Sequence, residues 1–426
     1  MSITKNKYFI NIFWLFIDKL MLLVGGFVVT AMVARYLGPK SVGIMNYGVI
    51  ISGLASIISQ WGASHSIFNL STKKPNCALR LINITTITRA CIYSCVCLFG
   101  GLFSYYSFGS TDVAVMITAF SFSLIFTSLD LYQFHFNGVL KSKYNAIPFV
   151  IAKSFSMAYR VYLIYIDANL IYFAFAFTVE GFIIFFLKRK ISRYNKFSDK
   201  VSDYYGIAYF YNSGTYLMFS GVLVYIYSRV NQIFLSNIFS FSELGIYSAA
   251  LALSMAWTFI PNSIGISILT RAFSSKNEEE KMNGLAFTIF APIICSLPIL
   301  FIYGFWSKEI VSVVYGDEYS QVGNILLVLS IYSLISVLVF LSNRFISNEN
   351  GERFLFIKTL LSTIFGVVVC FILIKYNGLI GAVYGALFVE LFGLICNLFF
   401  RKISIVDVYC RAFNIKLMVY YFKGLR

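Results

Sequence analysis

The chain has 426 residues, 59% of them hydrophobic and only 12% charged, with 34 Lys and Arg against 18 Asp and Glu for a formal net charge of +16. Soluble domains carry about 25% charged residues, and a mean hydropathy of +0.79 describes more apolar surface than a globular core can enclose. These values exclude a water-soluble globular fold and point to an integral membrane protein.

A window of about 20 residues, the length that crosses the hydrocarbon, predicts twelve helices. The first, 9–34, contains FWLFIDKLMLLVGG, with Asp18 and Lys19 side by side in its middle. Lys5 and Lys7 before it resemble the start of a signal peptide, but the charged pair and the continuing apolar run predict an uncleaved span. Spans follow at 41–62, 83–106, 113–136, 146–166 and 168–187, and then the polar connection KRKISRYNKFSDKVSD, 188–203. Six more are expected at 205–235, 243–270, 284–305, 321–346, 354–376 and 378–400, before a basic tail at 401–426. Pro148, Pro261, Pro292 and Pro298 are expected to kink their helices. Gly25, Gly26, Gly43, Gly48 and Gly53, and Gly381 with Gly385, allow close helix approach.

Lys and Arg favour cytoplasmic loops. With the N-terminus inside, the cytoplasmic side receives Lys5, Lys7, Lys73, Lys74, Arg80, Lys141, Lys143, the six basic residues of 188–203, Arg271, Lys276, Lys281, Arg344, Arg353, Lys358 and the six of the tail. Only Arg35, Lys40, Lys308 and Lys375 fall outside. This asymmetry supports the span count, places both termini in the cytoplasm and accounts for most of the charge without nucleic acid. The eight cysteines show neither zinc spacing nor an extracellular pairing pattern.

The halves resemble each other. LGPKSVGIMNYGV parallels IFSFSELGIYSAAL, aligning Gly43 with Gly245, and VEGFIIFFLKRKIS parallels VELFGLICNLFFRKIS, aligning Glu180 with Glu390, at offsets of 202 and 210 residues. Six spans is an even number, so both copies enter from the same side as parallel repeats, which commonly form two lobes around a pathway. The expected fold is an all-α polytopic membrane protein: an N-terminal lobe at 1–203 including the connection, a C-terminal lobe at 204–400, and the tail. Two lobes in one chain already supply a pathway, so a monomer is the default.

ARYLGPKSVGIMNYGVIISG from Ala34, SRVNQIFLSNIFSFSELGIYSAA from Ser228, and EIVSVVYGDEY after the ninth span resemble the polysaccharide-transporter branch of the multidrug, oligosaccharidyl-lipid and polysaccharide exporter superfamily, and bacterial O-antigen flippases within it. The resemblance implies a twelve-helix, two-lobed transporter of the bacterial inner membrane. It would move an undecaprenyl-diphosphate-linked oligosaccharide from the cytoplasmic to the periplasmic leaflet, with membrane lipid and other polysaccharide assembly proteins as partners. These degenerate motifs do not specify the sugar.

Charges inside spans mark the candidate site. At about 2.5–3.5 kcal/mol each at a span centre, Lys19, Arg89, Lys153, Arg160 and Arg229 would together cost on the order of 10 kcal/mol facing lipid. They are therefore expected to line a hydrated cavity that receives a diphosphate head group, Arg as a bidentate fork and Lys as a point charge. Lys153 and Arg160, seven apart, share a helix face, with Tyr159 and Tyr162 nearby to stack on sugar rings. The alternatives are local: Lys19 pairs with Asp18, Arg89 snorkels beside Arg80, and Arg229 sits at an outer helix end. Asp18, Asp130 and Glu180 are candidates either for proton or sodium coupling or for balancing the cations. His135 is read as interfacial.

No G-x-x-x-x-G-K-[ST] run, Asp-x-Asp pair or HExxH occurs, so transport without bond chemistry and without a cofactor is expected. A polymerase of the same pathway would need a substantial periplasmic loop, and the loops here are short. A cation-coupled drug exporter would favour an anionic cavity, whereas the intramembrane balance here leans positive.

Overall fold

A computed structural model of the chain describes residues 26–194, 207–275, 277–400, 404–414 and 417–418. All regular elements among them are helical, as a bilayer demands of segments whose backbone has no water to bind. Among the described residues eight helices are long and apolar enough to cross a membrane, or nine if a bent pair counts as one span. The chain divides into two compact units, Met1–Ile226 and Tyr227–Arg426. The division falls inside a helix rather than in the 188–203 connection.

The first unit contains α1 (Gly26–Gln60), α2 (Ala63–Lys73), α3 (Pro75–Phe108), α4 (Thr111–Ser123), α5 (Ile125–Leu129), α6 (Tyr132–Gly138), α7 (Lys143–Tyr165), α8 (Leu170–Tyr194) and the first part of α9 (Ile207–Ile238). Helix α1 is two arms meeting at Gly38, whose φ of 73° interrupts it immediately before Pro39. Glycine accepts that φ without cost, and proline suits the first turn of the following arm. Gly26 lies against Lys153 midway along α7, while Tyr36 donates to the Ala168 carbonyl beyond the end of α7 at 3.2 Å. The second arm passes Phe120 at Gly48 and ends with Trp61 donating to the Tyr211 carbonyl at 3.1 Å. Both arms thus descend from one end of the unit, which makes α1 the close of the first predicted span and the whole of the second.

The fourth predicted span is broken at Leu124 and again at Asp130 and Leu131. A break inside a membrane frees carbonyls that need new donors. Gln60 Nε2 donates to the Ser128 carbonyl at 3.0 Å, and Arg89 Nη1 to that of Leu129 at 3.1 Å. His135, expected at the interface, is instead fully buried, with Nδ1 3.0 Å from Ser71 Oγ. Close packing of α6 on α2 at Gly138 and Ser71 encloses it.

The second unit contains the remainder of α9, α10 (Phe241–Ala256), α11 (Phe259–Ser274), α12 (Glu278–Tyr315), α13 (Ser320–Asn348), α14 (Glu352–Leu398) and α15 (Ile405–Ala412). The single span expected at 243–270 is α10 and α11, bent by 43°; Pro261 has no N–H to give the Trp257 carbonyl one turn back. Pro292 and Pro298 stay within helix, and α12 breaks at Trp306 instead, where φ is −119° and ψ 21°. Within the tail, α15 buries Ile405, Val408 and Ala412, and Arg411 Nη1 donates to Asn283 Oδ1 at 2.9 Å.

Helix α14 is a hairpin. Gly378, at φ 53° and ψ −128°, interrupts it, and contacts step away from that residue on both arms: Gly381 meets Leu373, Gly385 meets Cys370, Val389 meets Gly366, and Gly393 meets Ser362. Phe365 and Phe392 stack at 4.4 Å between centroids. These arms are the eleventh and twelfth predicted spans, and the small residues at Gly381 and Gly385 permit their approach. A Cβ on Gly381 would collide with the Leu373 carbonyl oxygen and lie 2.9 Å from Ile374 N, both backbone. Gly381→Val is therefore expected to cost about 3 kcal/mol through overpacking and to lower the unfolding midpoint in detergent. Gly304→Ala, where a Cβ meets nothing within 4 Å, should not lower it, since alanine favours a helix over glycine.

Candidate functional site

Helices α7 and α8 run antiparallel after the turn at 166–169, and Ser156 Oγ donates across them to the Ala176 carbonyl at 3.4 Å. Lys153 and Arg160 flank Ser156 on α7 at a spacing of two turns, so both face α8. Glu180 stands opposite. Its Oε1 is 3.0 Å from Lys153 Nζ, and its Oε2 is 3.4 Å from Arg160 Nη2. The three side chains are 14%, 6% and 14% exposed for Lys153, Arg160 and Glu180 respectively, which is dry enough for charges to need partners yet not sealed. The trio has a net single positive charge. The Arg160 guanidinium lies 4.2 Å from the Phe177 ring centroid, and its Nε is buried without a hydrogen-bond partner. Tyr159 packs edge-on to Phe175 at 6.4 Å, and Tyr162 is exposed. Phe177 had no sequence signal beyond membership of an aromatic run.

Arg89, expected to line a cavity, is wholly enclosed. Besides the Leu129 carbonyl it binds Thr85 Oγ1 at 3.3 Å and the Ile82 carbonyl at 3.3 Å, so its donors repair the break in the fourth span. Asp130 sits at that break with Oδ2 2.6 Å from Lys188 Nζ, both side chains 5% exposed. Lys188, assigned from the sequence to a cytoplasmic connection, is thus a buried partner on a helix that continues to Tyr194. Glu180 and Asp130 therefore belong to separate ion clusters.

Arg229 belongs to the second unit, where Nη1 donates to Gln232 Oε1 at 3.0 Å. Lys358, counted from the sequence on the cytoplasmic side near the start of the span at 354–376, is buried in α14; it donates to Asn343 Oδ1 at 2.7 Å and Asn397 Oδ1 at 3.0 Å. Glu390 accepts from the Tyr227 hydroxyl at 3.1 Å. The fifth and sixth spans of the first unit, with Lys153 and Glu180, thus have counterparts in the eleventh and twelfth, with Lys358 and Glu390. The second unit holds its lysine with amides rather than in a direct ion pair. Asp18 and Lys19 lie outside the described residues. No group of three or more His, Cys, Asp or Glu suited to a metal occurs among the described residues.

The fold has known relatives. The chain is similar to the lipid II flippase MurJ in an inward closed conformation, with a TM-score of 0.62 at 16% identity over 99% of this chain and 93% of that one. It is also similar to an inward-facing multidrug resistance MATE family transporter of the MOP superfamily, at 0.68 and 12% identity over 94% and 98%. A MATE transporter from Vibrio cholerae in a bent form matches at 0.55 and 13% identity over 98% and 99%. Comparison with curated proteins returns no match. At such identities the likeness establishes the fold: an all-α membrane protein of two helical lobes. Residues 9–269, which include the trio and the Arg89, Asp130 and Lys188 cluster, match the family described as polysaccharide biosynthesis protein. That match spans more than half of the chain, which therefore belongs to the polysaccharide biosynthesis protein family.

Proposed function

We propose that the protein is a flippase for a lipid-diphosphate-linked oligosaccharide, an undecaprenyl-diphosphate O-antigen repeat unit, carried from the cytoplasmic to the periplasmic leaflet of a bacterial inner membrane. The observation that carries this reading is the Lys153, Arg160 and Glu180 trio, two cations held on one carboxylate within a family of polysaccharide biosynthesis proteins. Arg160 retains unspent N–H donors, and a guanidinium binds phosphate oxygens through two parallel hydrogen bonds. Glu180 keeps the two cations from repelling each other before substrate arrives, and a diphosphate would compete with it for them. Aromatic faces at Tyr159 and Tyr162 offer stacking surface for sugar rings. The lysine-rich end of the first unit, with Lys73, Lys74, Lys141 and Lys143, faces the cytoplasm in this reading.

Movement, rather than bond chemistry, is the work assigned: the two lobes alternate in access, and the polyprenyl tail stays in lipid. Neutralising all three residues together, as K153Q/R160Q/E180Q, avoids stranding a lone buried charge. This variant should reach normal protein levels yet slow translocation at least about tenfold, given about 1.5–3 kcal/mol for a hydrogen bond to a charged group. Lipid-linked repeat units accumulating at the inner leaflet would be the readout. Unchanged flipping would remove the trio from the substrate path.

A further inference from the structure

A groove of about 790 Å³ lies along α7 and α8 of the first unit, and its lining divides sharply. One end is apolar, with Ile151, Phe182 and Phe186 all 41–50% exposed. The other carries Arg189, Lys190 and Arg193. None of these three cations lies within ion-pair distance of a carboxylate among the described residues, and Arg189 Nε is buried with no hydrogen-bond partner.

Position around each helix turns most of this groove away from the ion clusters, with Arg189 at its border beside Tyr132. Phe186 and Lys190 are each two residues from Lys188, about 200° around the helix, so they face away from the Lys188 and Asp130 pair. Ile151 is likewise two residues from Lys153 and faces away from the trio. From Phe182 to Arg193 α8 rises about 16 Å, close to half of the ~30 Å hydrocarbon thickness. A ligand filling the groove would therefore present an anion at the membrane boundary and about one leaflet's depth of hydrocarbon.

We propose that this groove binds one anionic phospholipid of the adjoining leaflet, its phosphate held by Arg189, Lys190 and Arg193 and an acyl chain laid along Phe182, Phe186 and Ile151. Long basic side chains at a span end often snorkel into bulk lipid head groups, but such attraction retains no particular molecule. A concave wall that sets three cations at one end of an apolar face does. Anionic head groups are drawn to basic pockets between spans by the same charge logic.

The test is lipid retention by the full-length protein, measured by native mass spectrometry after extraction from mixed phosphatidylglycerol and phosphatidylcholine bilayers. The wild type is expected to keep one phosphatidylglycerol with a preference of about tenfold or more over phosphatidylcholine, since basic residues near the surface attract anionic head groups. Both R189Q/K190Q/R193Q, which removes the charges, and Ile183→Trp, which fills the groove, should abolish that preference while keeping the wild-type unfolding midpoint. Arg353→Gln, an exposed cation of the second unit, should keep it. The proposal is overturned if the triple variant retains the lipid, if Ile183→Trp retains it and only diffuse charge attraction is at work, or if a stoichiometric polyprenyl diphosphate displaces it and so reveals the carrier as the occupant.

Discussion

Asp130→Ala is expected to cost about 3–5 kcal/mol of stability, the usual consequence of deleting one member of a buried ion pair. The carboxylate is 2.6 Å from Lys188 Nζ with both side chains 5% exposed, so the lysine left behind has neither water nor a counter-charge. The loss should appear as a collapse in yield from membranes and a lowered unfolding midpoint in detergent. Replacing both partners, as D130A/K188M, should recover most of it, because the apolar pair carries no stranded charge. Full recovery is not expected, since Arg89 would keep its place on the Leu129 carbonyl while the nearby acidic group is gone. A single Asp130→Ala protein as stable as the wild type would show that the fourth span holds its break without the pair.

That pair also shows where hydropathy stops being informative. A window average reports depth along the membrane normal, and at this level the sequence was readable: the reversal at Gly38 falls between two predicted spans, that at Gly378 falls on the first residue of the twelfth, and the aligned acids Glu180 and Glu390 occupy corresponding helices of the two units. Azimuth is invisible to the same average. Lys188 looks like a loop residue and Lys358 like a boundary one because the apolar run ends or begins beside them, yet each helix continues through its lysine, and the partners that hold it come from other spans: Asp130 for one, Asn343 and Asn397 for the other. The breaks at Leu124 and Asp130 carry no Gly or Pro. The second is held by Gln60 and Arg89, and near the first the Tyr93 hydroxyl donates to the Ser121 carbonyl; all three donors come from other helices, and no local pattern could have assigned them. Lys153 and Arg160 were legible because a spacing of seven needs only the helix period to place both on one face.

Glu180→Gln should separate folding from transport in the opposite direction to Asp130→Ala. Its cations are not equally sealed: Lys153 is 14% exposed, and Arg160, at 6%, also rests on the Phe177 ring, a contact worth about 0.5–2 kcal/mol for a cation. A glutamine also keeps an acceptor within reach of both. The stability loss is therefore expected to fall below that of Asp130→Ala. On the proposed flippase function, the larger effect should be on the carrier lipid. With the internal carboxylate neutral, an incoming diphosphate no longer competes for Lys153 and Arg160, so binding should tighten about tenfold or more, in line with a charge-assisted contact of about 1.5–3 kcal/mol. Release depends on the same competition, so turnover should fall as affinity rises. Glu180→Asp, which restores the charge on a shorter arm, should recover part of the turnover. Affinity for a polyprenyl diphosphate in nanodiscs, measured beside the flipping rate in vesicles, checks both. Weaker binding in Glu180→Gln would mean that the carboxylate organises the cations for the ligand instead of opposing it, and the trio would then act as a fixed cradle rather than an exchangeable one.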